Sequence, residues 1–363
     1  MSQRELFLRL IQVSLWNQHS HFGPLDNVRY RALMQMADQQ AVRGLVSNSI
    51  LDETNAVILE RDNALETLRF DHENKQLNSK IDAGLSALVD LLDFYQIRFV
   101  VVKGQTIECL YPIRHLRIGG DIDFYVMPED FERAKTLLQQ EWNVKYEEGD
   151  ANKHLEFIHN HVIFEMHYLL LHFASNRVQK EFDTIVKCTK IVRRKMNGIS
   201  VPVLAPEFEI LYTFLHLYHH FLEVGIGIRH LCDMAVLCHY HFSNGLDKHL
   251  LKSHLDKLGF TKAFSAFGAV CIQTLRLQEN EFPIPVDAND YRFVEPIMAE
   301  IFLRGNMGVY FRKHAVRSGF AYFCESLSSK IHLYRLFYSL APKETRALIW
   351  REIPTKILRA LKL

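Results

Sequence analysis

The sequence predicts an α+β fold, with a mixed-sheet core flanked by an N-terminal helical region and a C-terminal helical domain. Three observations predict it. Through residues 1–95, apolar side chains recur at three- and four-residue steps, the period of a helix with one packed face. Between 96 and 204 the pattern becomes short β-branched and alternating runs with helical pieces between them. From 205 to 363 it returns to helical period, rich in aromatics. At about 100–200 residues per domain, a chain of 363 residues divides into two or three packed units.

The elements follow in order. Leu6, Leu8, Leu10, Ile11 and Leu15 start one helix, and Asp26 caps a second through Arg29, Leu33 and Met36. A third pattern begins near Asp52 and runs through Ile58, Leu65, Leu77, Ile81, Leu85, Leu88 and Leu91, as one long helix or two with a bend near Gly84. Residues 97–102 are β-branched and read as a buried strand ended by Lys103-Gly104. Gln105 to Leu110 makes a helical turn that Tyr111-Pro112 stops. Residues 121–126 form a second strand, and Pro128-Glu-Asp opens a helix through Leu138, with acids in the turn that the helix dipole favours. Residues 143–148, 154–159 and 161–168 read as further strands, and 198–204 as a short β piece. Helices are expected over 206–223, 229–242, 247–258 and 261–275, a Pro-rich loop over 279–290, and helix beyond it.

Composition bounds the function classes. The chain is 48% hydrophobic and 12% aromatic, enough for a real core. A net charge of +1 gives no global field that would gather a polyanion. The stretch from 312 to 363 is locally basic, with eleven Lys and Arg against three acids. A solvated basic face is the favoured reading there, ahead of a nucleic-acid or lipid surface. None of the six cysteines forms a CxxC pair, which excludes a zinc ribbon or thioredoxin-type motif and fits buried free thiols in a reducing compartment. Arg4, Glu5 and Arg9 interrupt any signal-peptide core, and no run of about 18 apolar residues occurs, so a cytoplasmic protein without a membrane span is expected.

The chemistry centres on Asp121 and Asp123. Residues two apart on a strand share a face, so these carboxylates stand side by side while Ile122 and Phe124 face an apolar layer. Adjacent carboxylates repel one another and raise their own pKa values, which a divalent cation relieves. Such oxygen-only donors suit Mg²⁺ or Mn²⁺. A bare Asp-x-Asp is commonly an ordinary solvated strand, but Gly119-Gly120 precedes this one, and Glu165 lies on a separate strand between Phe164 and Met166. A carboxylate there is costly to desolvate unless paired or bound to metal. Three carboxylates from two strands match the needs of a two-metal phosphoryl or nucleotidyl transfer site.

The segment Val101-Val-Lys-Gly-Gln-Thr-Ile-Glu-Cys-Leu-Tyr-Pro112, followed by Arg117-Ile-Gly-Gly-Asp-Ile-Asp-Phe-Tyr-Val126, resembles the signature of the uncharacterised nucleotidyltransferase family of the DNA polymerase β-like superfamily. Residues 161–168 resemble its third-carboxylate strand, with Glu165 and then His167, and residues 216–233 resemble its C-terminal half. The resemblance implies a polymerase β-like nucleotidyltransferase core over 96–204, between a helical region at 1–95 and a helical domain at 205–363. It implies a magnesium-dependent transfer of a nucleoside monophosphate from an NTP such as ATP to an unidentified acceptor, with pyrophosphate released. Asp121, Asp123 and Glu165 would be the catalytic, metal-holding carboxylates. Gly104 and Gly120 would let backbone approach the phosphates, with Lys103, Gln105 and Arg117 beside them. Gly104-Gln105 stands where the superfamily usually has Gly-Ser, which keeps open a catalytically degenerate module that binds nucleotide or a partner.

His167 shares the Glu165 face and either orients a ligand or is a structural histidine. His216, Arg229 and Asp233 are acceptor-cleft candidates by resemblance. His216 and His220 share a helix face, where interface packing is favoured over a zinc site because no HExxH is present. The acceptor, whether small molecule, protein or nucleic acid, leaves no signature.

Overall fold

The computed structural model describes residues 1–148, 153–311, 320–355 and 357. The chain divides into two units, residues 1–171 with 190–205, and residues 172–189 with 206–363.

The first unit opens with helices. α1 (Gln3–Leu15) begins in a capping box, in which Ser2 Oγ accepts the Glu5 N–H while the Glu5 carboxylate accepts the Ser2 N–H. β1 (Gly23–Pro24) precedes α2 (Asn27–Gln39), which Asp26 caps through the Arg29 N–H at 2.9 Å. α3 (Arg43–Leu51) is a helix that the apolar period does not announce, because its buried face includes Gly44, Ser47 and Ser49. β2 (Val57–Ile58) pairs in parallel with β1. α4 (Arg61–Phe94) is then one continuous helix of 34 residues. Gly84 does not interrupt it. A Cβ there would lie 3.3 Å from Phe164 Cζ and 3.4 Å from Val162 Cγ2, so the glycine marks close approach of helix to sheet.

The sheet is built from β3 (Phe99–Val102), β4 (Asp121–Val126), β5 (Glu147–Glu148), β6 (His154–His159), β7 (Val162–His167), β8 (Ile191–Met196) and β9 (Ile199–Leu204). Short α5 (Gly104–Glu108) follows β3, and α6 (Phe131–Trp142) follows β4. The spatial order is β5-β6-β7-β4-β3-β9-β8. Pairing is mixed, with β4/β7 and β3/β9 parallel and the other neighbours antiparallel. One face carries Phe99, Val101, Ile122, Phe124, Phe164, Met166, Val201 and Val203, packed with Ile81, Leu85, Leu88 and Leu92 of α4 and Leu138 of α6. Each such fully buried side chain contributes about 1.5–3 kcal/mol. Two details depart from the sequence reading. The strand expected over 143–148 contracts to Glu147–Glu148, and β8 joins β9 as a hairpin. β8 is an exposed edge with Arg193, Arg194 and Lys195 along it, so it lacks an alternating apolar signal.

The second unit is helical. α7 (Asn176–Cys188) buries Val178, Phe182 and Ile185, and Phe182 packs beside Phe173 and Phe208. That apolar stripe places residues 172–189 in the helical unit, although they fall within the stretch 96–204 expected to hold the sheet. α8 (Pro206–Glu223), α9 (Ile228–Phe242), α10 (Lys248–Leu258), α11 (Thr261–Leu275) and α12 (Val294–Arg304) follow, then α13 (Phe320–Leu336) and α14 (Pro342–Ala347). Phe214, Tyr218 and Phe221 of α8 meet Phe264 and Phe267 of α11 in an aromatic core. Of the basic C-terminal stretch, residues 312–319, 356 and 358–363 lie outside the described residues. None of the six cysteines is in a disulfide among the described residues. Cys232, Cys238 and Cys271 are buried as expected, but Cys188 and Cys324 are exposed. Among the described residues, no helix is long and apolar enough to cross a membrane.

A Cβ at Gly44 would run into the Leu116 carbonyl, in the turn that leads to Asp121. Overpacking against backbone costs about 1–3 kcal/mol, which outweighs the gain of about 1 kcal/mol from placing Ala in a helix. Gly44→Ala should therefore lower the urea midpoint. An unchanged or raised midpoint would show that α3 does not press on that turn.

Candidate active site

β4 and β7 run in parallel with Asp123 opposite Glu165, Asp121 opposite Ile163 and Tyr125 opposite His167. Paired residues on a pleated sheet share a face, so Asp121, Asp123, Glu165 and His167 stand together. Ile122, Phe124, Phe164 and Met166 fill the opposite, packed face. One carboxylate oxygen from each of Asp121, Asp123 and Glu165 lies within 4.8 Å of the others. On the far side of β7, β6 pairs antiparallel with His154 opposite His167, which adds His154 to the same face.

Charges are balanced unevenly. Asp123 is buried, and its Oδ1 accepts from Lys103 Nζ at 2.7 Å and pairs with His167 Nε2 at 2.8 Å. Burial alone would push the Asp123 carboxyl up. The Lys103 ammonium and the His167 hydrogen bond outweigh burial and hold it well below the usual carboxylate range. Glu165 Oε2 lies 3.3 Å from the same His167 Nε2. Burial, with the charges of Asp123 and Asp121 behind it, pushes Glu165 up to about 7 despite that contact. Burial pushes His167 down, but its bonds to Asp123 and Glu165 more than offset this and raise it. His154 is pushed down to about 4 by burial and by the charges of His167 and Lys103, so it is neutral at pH 7.

The glycine-bearing turn sits beside the carboxylates. Lys103 adopts φ 56° and Gly104 φ 40°, and a Cβ at Gly104 would meet the Asp121 carbonyl oxygen at 3.4 Å. Gln105 is 1% exposed, with both amide atoms buried and without a hydrogen-bond partner among the described residues. Arg117 is buried, and Gly120 has open space where a side chain would go. His216 lies on α8, and Arg229 and Asp233 on α9, all in the helical unit. His216 and His220 bring their Nε2 atoms to 3.1 Å and hydrogen-bond to each other. Among the described residues, the groups that could hold a metal are Asp121–Asp123–Glu165 and His154–Glu165–His167, and neither includes that helical pair. Sequence reasoning missed His154. Its signal is faint, a polar residue in register with Glu156 on a strand whose other face carries Leu155 and Phe157.

A mixed sheet that sets an Asp-x-Asp strand beside a third-carboxylate strand is the arrangement expected of a nucleotidyltransferase. The profile of the uncharacterised nucleotidyltransferase family matches residues 26–276, well over half of the chain, and the chain belongs to that family. No curated protein matches it. Among solved structures it is similar to an antigenic nucleotidyltransferase-like protein from Paracoccidioides brasiliensis, with 12% identity and a TM-score of 0.35, over 55% of this chain and 93% of that one.

The Glu165 shift sets a pH dependence. Between its ordinary value of 4.5 and about 7, the folded chain keeps a proton that the unfolded chain has released. Stability of the cation-free protein therefore falls as pH rises through that window, by at most about 3 kcal/mol, and levels off above it. Glu165→Gln should remove this component, so that its melting temperature gains on the parent's from pH 5 to pH 8. Parallel melting curves for the two proteins across that range would rule the shift out.

Proposed function

We propose that the protein transfers a nucleoside monophosphate from a nucleoside triphosphate to an acceptor hydroxyl or other nucleophile, releasing pyrophosphate, with Mg²⁺ or Mn²⁺ held by Asp121, Asp123 and Glu165. The observation that carries this reading is the convergence of those three carboxylates, within 4.8 Å, from two paired strands of a chain in a nucleotidyltransferase family. The donor set fits the ions, since all three ligands are oxygens. Glu165, pushed up by burial and its acidic neighbours, is a carboxylate that a divalent cation would stabilise. When bound, the ions neutralise the triphosphate and stabilise the departing pyrophosphate.

The chain's own residues have separable tasks in this reading. Asp121 and Asp123 hold the ions, and Glu165 completes the set beside the acceptor. His167 fixes the orientation of the Asp123 carboxylate through the 2.8 Å contact, as outer-shell partners of metal ligands do. Gly104 keeps its turn against the carboxylate strand, where a side chain would be strained at φ 40°. Lys103, Gly104, Gln105, Arg117 and Gly120 form the triphosphate side.

A second reading, a degenerate module that binds nucleotide without turnover, is favoured by one observation. The Gln105 amide is fully buried, so it offers no exposed donor in place of the usual serine hydroxyl. The test is transfer of α-labelled nucleotide and pyrophosphate release, alongside calorimetry with Mg²⁺ and each nucleotide. Asp121→Asn should lose at least about a hundredfold in transfer with its circular dichroism unchanged. Full transfer by that variant would refute the mechanism, and tight nucleotide binding by the parent without pyrophosphate release would favour the second reading.

A further inference from the structure

We propose that His154, Glu165 and His167 form a second divalent-metal site that takes a nitrogen-preferring first-row ion of the Zn²⁺ or Co²⁺ class. It shares Glu165 with the carboxylate triad. The proposal stands on the donor geometry alone and does not depend on nucleotidyl transfer.

The three donors are brought together by register. His154 and His167 are directly opposed on antiparallel β6 and β7, and Glu165 lies two residues before His167 on the same face. Both histidines are buried. Glu165 presents one oxygen to each ring, with Oε1 3.7 Å from His154 Nε2 and Oε2 3.3 Å from His167 Nε2. Both distances exceed a good hydrogen bond. An ion would take one of these oxygens together with both rings, and donors around a tetrahedral ion whose bonds are about 2.0–2.1 Å lie about 3.3 Å apart. One donor atom from each residue falls within 4.8 Å of the others, so small side-chain adjustments close the set. Nδ1 of each ring is buried and has no hydrogen-bond partner among the described residues. Ligation through Nε2 leaves these Nδ1 atoms as they are, so the set rests on the Nε2 and carboxylate donors alone.

Two imidazoles and one carboxylate select against Mg²⁺, which prefers oxygen, and for Zn²⁺, Co²⁺ or a related ion. In His167, ligation through Nε2 would displace that atom's proton to solvent, leave the neutral ring protonated on Nδ1, and end its hydrogen bond to Asp123. Lys103 Nζ at 2.7 Å then remains as the counter-charge of Asp123. Occupancy of this set is thereby linked to the arrangement of the triad.

The test is Co²⁺ titration of the full chain, followed by visible d–d absorption, which reports nitrogen ligation and needs no turnover. The parent should bind one equivalent. His154→Ala should weaken binding by about tenfold or more, and His154→Gln, which keeps a polar side chain of similar reach, covers the case in which the alanine variant fails to fold. Asp121→Asn should bind Co²⁺ within about twofold of the parent, even if it abolishes nucleotidyl transfer, so the two readings fail separately. No Co²⁺ binding by the parent, equal affinity in a folded His154 variant, or equal loss in Asp121→Asn would overturn the proposal.

Discussion

The register between β4 and β7 is the constraint on which the site depends. Side chains alternate faces along a strand, so a slip of one residue would carry Glu165 into the packed layer and bring Phe164 and Met166 out of it. The register is therefore enforced from behind. Ile122, Phe124, Phe164 and Met166 are fully buried against α4, and losing even part of that layer exceeds what repulsion between neighbouring carboxylates can return. The apolar face fixes the polar one, which lets like charges be held close together in a stable fold.

The helices that precede the sheet fix how the chain enters that strand. Asn74 and Asn78 are buried on the inner side of α4, and Asn74 Nδ2 donates to the His115 carbonyl at 2.5 Å. Asp82 of the same helix pairs with Arg114 at 3.0 Å. A Cβ at Gly119 would lie 2.6 Å from Ile81 Cδ1 and 2.8 Å from Asn78 Oδ1. α3 closes on the same turn through Gly44. Residues 114–120, which run into Asp121, are thus clamped by polar and glycine contacts from α3 and α4. This explains why the N-terminal helices belong to the sheet-bearing unit rather than standing apart from it.

The triad was legible in the sequence because it rests on local rules. Asp121 and Asp123 declare their shared face by spacing, and Glu165 is marked by apolar residues on both sides. α8 and α11 were legible to the residue because Pro206 opens one and apolar period runs through both. What stayed hidden depends on partners distant in sequence. His154 reaches the site only through the pairing of β6 with β7. The Lys103 ammonium lies on Asp123, twenty residues on, a pairing that no local spacing announces. Gly84 left one helix or two open, because a lone glycine weakens a helix, and only the nearness of Phe164 reveals it as a contact. α3 and β8 were silent for opposite reasons, one buried through small polar residues and the other exposed along an edge.

The two best-placed carboxylates differ in a way that bears on any role for the site. Asp123 has Lys103 and His167 on one oxygen and stays ionised at every physiological pH. Glu165 sits between His167 and a neutral His154, faces two acids, and is pushed up to about 7. Neighbouring titratable groups whose environments drive their pKa values apart divide their labour. Here one carboxylate is a fixed charge that the fold itself compensates, and the other takes its charge state from whatever occupies the space beside it. A cation entering the face, as proposed above, would meet one carboxylate already ionised and another that ionises on its arrival, so its binding would release a proton at Glu165.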